Sequence, residues 1–254
     1  MVATEITIAI LPMLADNYAW ILHDGASAAV VDPGEAEPVL RFLWKQKLGL
    51  SQIILTHHHA DHCAGTGELN RLHGCPVIGP RDSRMPFVNK PVYDGEHLTV
   101  LGEALDVIAT PGHTASHLVY HFPNLRALFT GDTLFAAGCG RLLEGTASDM
   151  LQSLIKIACM DDVTSVYCGH EYTEENLLFA TTVDTDNKDV WQRLADVKYM
   201  QRGSMPTVPS TMALERATNP FLRTGDPALR KKLKMETATG IEVFAELRRR
   251  KDKF

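Results

Sequence analysis

The sequence predicts an α/β sandwich followed by a small, all-helical C-terminal domain, and three observations predict it. The first 170 or so residues hold short runs rich in Val, Ile, Leu and Tyr, each closed by a turn signal such as DPG, TPG, TGD or CGH. Helical periodicities fall between some of these runs. After about residue 174 the strand signals stop, and Gly and Pro separate helices alone. The expected division is therefore 1–174 and 175–254.

In chain order, the expected strands are ITIAIL (6–11), YAWILH (18–23), AAVVD (28–32), QIILT (52–56), LDVIAT (105–110), HLVYHF (117–122), ALFT (127–130) and TSVYC (164–168). The helices expected among them are EPVLRFLWKQKL (37–48), GELNRLHG (67–74) and SDMLQSLIKIA (148–158), the last with Ser148 as its N-cap. Four more follow: NKDVWQRLADVKYMQ (187–201), TMALERATN (211–219), DPALRKKLKMETA (226–238) and IEVFAELRRRK (241–251). Asp226 reads as an N-cap with Pro227 at the first helical position, and Ile241, Phe244 and Leu247 form an apolar stripe on the last helix.

Composition narrows the function classes. Of 254 residues, 45% are apolar and 22% charged, an ordinary globular balance. No apolar run approaches the roughly 18 residues of a membrane span, and MVATEITIAILPM lacks the basic start and cleavage site of a leader, so the expected compartment is the cytoplasm. Five scattered cysteines without a C-x-x-C pair speak against a disulfide framework or a zinc ribbon. A net charge of −6 disfavours a nucleic-acid surface, and no exposed heptad announces a partner, so a monomer is expected.

The stretch THHHADH (56–62) concentrates four histidines and an aspartate, the side chains that bind borderline metals without a thiolate. On extended backbone His57 and His59 face together while His58 faces away, and Asp61 and His62 occupy the following turn, with Gly65 and Gly67 permitting its tight backbone. His113, Asp132 and His170 likewise lie just past the ends of expected strands, where ligands gather in α/β sheets. The count gives His57, His59 and His113 for one divalent ion, Asp61, His62 and His170 for a second, and Asp132 for both. Asp61, His62 and Asp132 are the candidate catalytic residues among them. Three protein ligands per ion leave an open position for water, whose pKa two ions lower from about 15.7 towards about 7, so the expected chemistry is hydrolysis by a bridging hydroxide. Zinc is the expected metal, with iron or manganese as alternatives. Asp32 in VVDPG has two readings, a plain Asp-Pro-Gly turn or a carboxylate that orients a ligating histidine. His23, His58, His73, His97, His117 and His121 are assigned to surface or structure, and Cys63 and Cys168 are left out of the ligand set.

THHHADH, TPGHT, TGDT and GHEY together resemble the metallo-β-lactamase superfamily, and GDTLFAAGCGRLLEGTAS (131–148), HEYTEENLLFA (170–180) and RRRKDKF look like its hydroxyacylglutathione hydrolase (glyoxalase II) family. The resemblance covers essentially the whole chain. It implies a four-layer αββα sandwich with a helical C-terminal domain. The implied reaction is cleavage of the thioester S-D-lactoylglutathione to D-lactate and glutathione, the second step of methylglyoxal detoxification. It also implies that Tyr172, Arg248 and Lys251 bind the glutathione moiety. Arg248 and Lys251 are three apart on one helical face, and a tripeptide with two carboxylates needs cations. Arg141 keeps a charge where plant and animal forms carry Lys, whereas Leu143 replaces their Tyr and removes a phenolic hydroxyl.

Other readings share the first motif: a secreted β-lactamase, a tRNA-processing nuclease, a persulfide dioxygenase, or a non-catalytic metal or redox module. The first wants a leader and often a cysteine ligand, the second a basic surface, the third a single iron without the helical domain, and the last a flavin domain for which the chain has no room.

Overall fold

A computed structural model describes residues 5–254. Its packing resolves into two compact units, one holding the chain up to Ala109 together with Ser116–Gly131, the other Thr110–Ala115 together with Asp132–Phe254.

In the first unit, β1 (Thr7–Met13), β2 (Asn17–His23) and β3 (Ser27–Val31) form antiparallel neighbours. The run NYAWILH on β2 is buried along nearly its whole length, as a strand covered on both faces requires. Helix α1 (Ala36–Gln46) then crosses over to β4 (Gly49–Ile54), which pairs with β3 in parallel. Ala36, Val39 and Leu43 recur at helical spacing on its buried face, and the helix stops where Lys47 turns left-handed at φ 58. The single turn α2 (Ala60–Cys63), α3 (Thr66–His73), β5 (Val77–Pro80) and β6 (Lys90–Val92) complete a sheet ordered β1 to β6. A second sheet holds β7 (His97–Val100), β8 (Glu103–Ala109), β9 (Leu118–Phe122) and β10 (Ala127–Gly131), all antiparallel. The core includes Ile21, Val30, Val39, Leu43, Ile53 and Leu55, and the Tyr120 hydroxyl donates to the Leu55 carbonyl at 2.7 Å, tying β9 to the end of β4.

The second unit begins with a hairpin of β11 (Leu134–Phe135) and β12 (Gly138–Cys139). Helix α4 (Ala147–Ala158) is capped by Thr146 rather than by Ser148, because Thr146 and Asp149 bond each other's backbone N–H in a reciprocal capping box. Strand β13 (Ser165–Cys168) leads to α5 (Thr173–Val183) and α6 (Lys188–Arg202). It pairs with β14 (Ser210–Thr211), a strand in the region read as purely helical. Then come α7 (Met212–Thr218), a 3-10 turn at Pro220–Leu222, α8 (Pro227–Leu233) and α9 (Gly240–Lys251). Asp226 does cap α8, but that helix ends at Leu233, where Lys234 turns left-handed at φ 58. On α9 the buried face is Val243, Phe244, Leu247 and Arg248, while Ile241 is 41% exposed in the first turn and outside the stripe.

Packing thus divides the chain elsewhere than near residue 174. The β11–β12 hairpin cannot satisfy its own polar groups: Glu215 accepts from the Ala137 N–H at 2.8 Å, and Asn219 donates to the Gly138 carbonyl at 2.9 Å. Buried Glu215 is in turn held by buried Arg193 at 2.7 Å, so α6 and α7 are bound to the segment that precedes them. No helix among the described residues is long and apolar enough to cross a membrane.

Candidate metal centre and substrate pocket

In the first unit the donors follow the end of β4. His57 is fully buried, and its Nε2 lies 3.0 Å from His59 Nδ1. His58 points away, its Nδ1 3.8 Å from Asp82 Oδ2. Asp61 and His62 occupy α2, with the Asp61 carboxylate 3.6 Å from His62 Nε2 and accepting from Asn17 Nδ2 at 2.9 Å. Gly34 and Gly65 make this corner possible, since a Cβ at Gly34 would stand 2.0 Å from the Asp61 carbonyl and one at Gly65 2.5 Å from the Glu35 carbonyl carbon. A Cβ at Gly67 would meet open space, so the tightness expected of that residue is not present.

Asp32 fills both of its readings. Its backbone turns at φ 52 and its carbonyl accepts from Gly34 N–H at 3.0 Å, while its buried carboxylate lies 3.0 Å from His62 Nδ1. The same carboxylate accepts from the Thr56 N–H at 2.8 Å and from the Thr56 hydroxyl at 2.6 Å. The Thr56 oxygen is 3.0 Å from His57 Nδ1. Because the hydroxyl hydrogen is committed to Asp32, Thr56 accepts from His57 Nδ1–H, and Asp32 accepts from His62 Nδ1–H. Both imidazoles therefore present a lone pair at Nε2, the tautomer that a metal needs. Asp32, His57 and His62 form a buried group whose donor atoms lie within 4.8 Å of one another. His117, read as structural, is fully buried and stacks on His57 at 4.8 Å with 23° between the rings. The left-handed Gly131, φ 46, leaves room beside it: a Cβ there would lie 2.9 Å from His117 Nε2 and 2.5 Å from Thr56 Oγ1.

The second unit gathers the other three donors. His113 Nδ1 is 2.9 Å from the Arg141 carbonyl, to which it donates, leaving Nε2 as an acceptor 3.3 Å from Asp132 Oδ2. His170 Nε2 lies 3.5 Å from the same oxygen, and all three residues are buried. The His170 ring is stacked on Tyr172 at 4.7 Å and 9°, with Phe135 edge-on to both. Gly140 passes so close that a Cβ would stand 2.0 Å from the Asp132 carbonyl.

These donors open on a cavity of about 360 Å³ whose wall carries His113 and Asp132 together with Arg141, Leu143, Tyr172, Glu175, Arg248 and Lys251. All four residues expected to bind substrate lie on that wall. Buried Arg248 donates to the Cys139 carbonyl and to Asp252, each at 2.9 Å, with its guanidinium 5.2 Å from the Phe221 ring. Lys251 pairs with Glu175, and burial pushes its ammonium pKa below the usual lysine range while Glu175 opposes the shift. Leu143, 58% exposed, stands on the same wall. Burial pushes the Cys63 thiol up to about 11 and that of Cys168 to about 12.

The metallo-beta-lactamase superfamily model matches residues 14–170, and the model of the hydroxyacylglutathione hydrolase C-terminus matches residues 171–254. A hydroxyacylglutathione hydrolase of Roseobacter denitrificans is 46% identical over 253 residues, which is 98% of this chain and 99% of the relative. The chain belongs to the hydroxyacylglutathione hydrolase family. A second relative of that name, from Rhizobium meliloti, is 45% identical over 94% of this chain and 95% of its own length. Among solved structures, ETHE1 from Myxococcus xanthus aligns at 25% identity with a TM-score of 0.66, covering 92% of this chain and 90% of that one. The fold is accordingly the αββα metallo-β-lactamase sandwich followed by a helical C-terminal part, and its His and Asp groups suit divalent metals.

Proposed function

We propose that the protein hydrolyses S-D-lactoylglutathione and related S-2-hydroxyacylglutathiones to D-lactate and glutathione, closing methylglyoxal detoxification as a cytoplasmic monomer. The observation that carries this reading is the cavity in which His113 and Asp132 share one wall with Arg141, Tyr172, Arg248 and Lys251. Cations beside the reaction centre suit a tripeptide thioester with two carboxylates better than an uncharged amide or ester. Membership of the family at 46% identity over nearly the whole chain supports the same substrate class.

The donor chemistry suits divalent ions, zinc first and iron or manganese next; His57, His59 and His113 would hold one, Asp61, His62 and His170 a second, and Asp132 would contribute to both. Such ions, when bound, ionise water near neutral pH and polarise a carbonyl. The chain's own contributions are orientation and charge. Asp32 and Thr56 hold the protons on the far nitrogens of His62 and His57, and the Arg141 carbonyl does the same for His113. Asn17 holds the Asp61 carboxylate in place. Thiolate is a good leaving group, so no side chain need act as a strong general acid. For function, the division 1–174 and 175–254 separates the hydrolytic part from the part that supplies Arg248 and Lys251.

The test is steady-state turnover of S-D-lactoylglutathione by metal-replete protein beside a simple thioester without glutathione. Fast turnover confined to the glutathione substrate is expected. Equal rates on both would return the substrate question to the wider superfamily.

A further inference from the structure

The two basic residues of α9 that line the cavity, Arg248 and Lys251, hold their charges differently. Arg248 is fixed from two sides, by the Cys139 carbonyl and by Asp252. The Lys251 ammonium instead meets one carboxylate oxygen of Glu175, at 2.5 Å. The Lys251 side chain is 8% exposed, whereas that of Glu175 is 64% exposed. Its ammonium lies 5.8 Å from the Phe179 ring and 5.2 Å from the Phe254 ring, among groups that offer it little solvation. A desolvated ammonium needs an anion, and here the anion sits at the end of a solvated side chain that can swing away at small cost. Both residues line the same cavity.

A ligand carboxylate that reaches Lys251 meets an ammonium whose charge Glu175 already neutralises, and it must displace or share that partner. We propose that Glu175 is a resident counter-ion: it competes with the carboxylate of a glutathione thioester for Lys251 and so sets the affinity, and the charge preference, of the pocket. The inference rests on the glutathione-thioester reading above. Substrate binding exchanges one ion pair for another rather than creating a new one, and the net gain is smaller than a bare lysine would give. Free glutathione, the product, carries the same carboxylates and is held less tightly for the same reason. The plain reading of Glu175 is a carboxylate in the first turn of α5, favourable to the helix dipole. That role predicts a small effect on stability and none on ligand affinity.

Metal-replete wild type, Glu175→Gln, Lys251→Ala and the double variant separate these readings. Each is measured for KM and kcat on S-D-lactoylglutathione, and for direct calorimetric binding of free glutathione. In Glu175→Gln, KM and the glutathione Kd fall by about 2- to 10-fold, the range of a partly exposed ion pair, while kcat stays within about 2-fold. In the Lys251→Ala background the same substitution changes neither. A rise in KM and Kd would overturn the proposal in favour of Glu175 contacting the ligand's ammonium group, and unchanged constants would overturn it in favour of the helix-dipole role. If wild type neither turns over the thioester nor binds glutathione, the functional reading itself fails, a result separate from either of these.

Discussion

The two donor sets are oriented by different means. His57, His59, Asp61 and His62 come from one short stretch, and a single buried side chain, Asp32, fixes His62 directly and His57 through Thr56. His113, Asp132 and His170 come from three separate strand ends, and backbone and aromatic contacts fix them: the Arg141 carbonyl on His113, the close pass of Gly140 at Asp132, and Tyr172 stacked on His170. The difference teaches where each set is vulnerable. The first should be disabled by removing one carboxylate, the second by adding one methyl group to the backbone.

The largest effects should come from the donors themselves, one from each set. His59→Ala and Asp132→Ala should each lower turnover by about 1000-fold or more, above the 10- to 100-fold typical of an outer partner, and each should lose at least one equivalent of metal by elemental analysis. A variant that kept ordinary activity would remove its residue from the ligand set. Next in size, Asp32→Asn should weaken metal affinity by about 10- to 100-fold in chelator competition while leaving the second set's residues untouched. An unchanged affinity would reduce Asp32 to a turn residue.

The glycines sharpen the comparison further. Gly140→Ala puts a Cβ 2.0 Å from the Asp132 carbonyl oxygen and must displace it, so both Tm and activity should fall. Gly67→Ala, near the start of α3 with nothing within 4 Å of the new methyl, should raise stability by up to about 1 kcal/mol. Equal responses in thermal unfolding would show that close approach at Gly140 is not what holds Asp132. The smallest effects on chemistry belong to the cavity cations. Lys251→Ala and Arg248→Ala should mostly raise KM. Arg248→Ala should also lower stability, because the Cys139 carbonyl and Asp252 lose their donor. An unchanged KM would return both residues to structure.

Much of this was legible in the sequence because local rules sufficed. Alternation along THHHADH separates His58 from its neighbours, and β-rich runs ending in glycine place His113, Asp132 and His170 just beyond strands. Aspartate followed by proline marks the start of α8. What local rules left open or missed needed distant partners. Both readings of Asp32 were open in the sequence, and only its contacts with Thr56 and His62 show that it fills both; the place of His117 against the face of His57 had no period or spacing in the HTASH run to reveal it. Strands β5, β6, β7, β11, β12 and β14 are two to four residues long, at or below the shortest run that can show a period-2 signal. Helix α5 has a nearly uniform apolar and polar distribution around its axis, with buried residues on several sides, so no stripe announced it. Glu215 and Asn219 likewise complete a hairpin far earlier in the chain, a contact that no local signal shows.

The most direct test of the account is a titration of metal-free protein with zinc, following turnover of S-D-lactoylglutathione and bound metal in the same samples. The account predicts turnover that rises with added metal and saturates near two equivalents per chain. Full turnover without metal, or saturation of binding with no hydrolysis of the thioester, would contradict it.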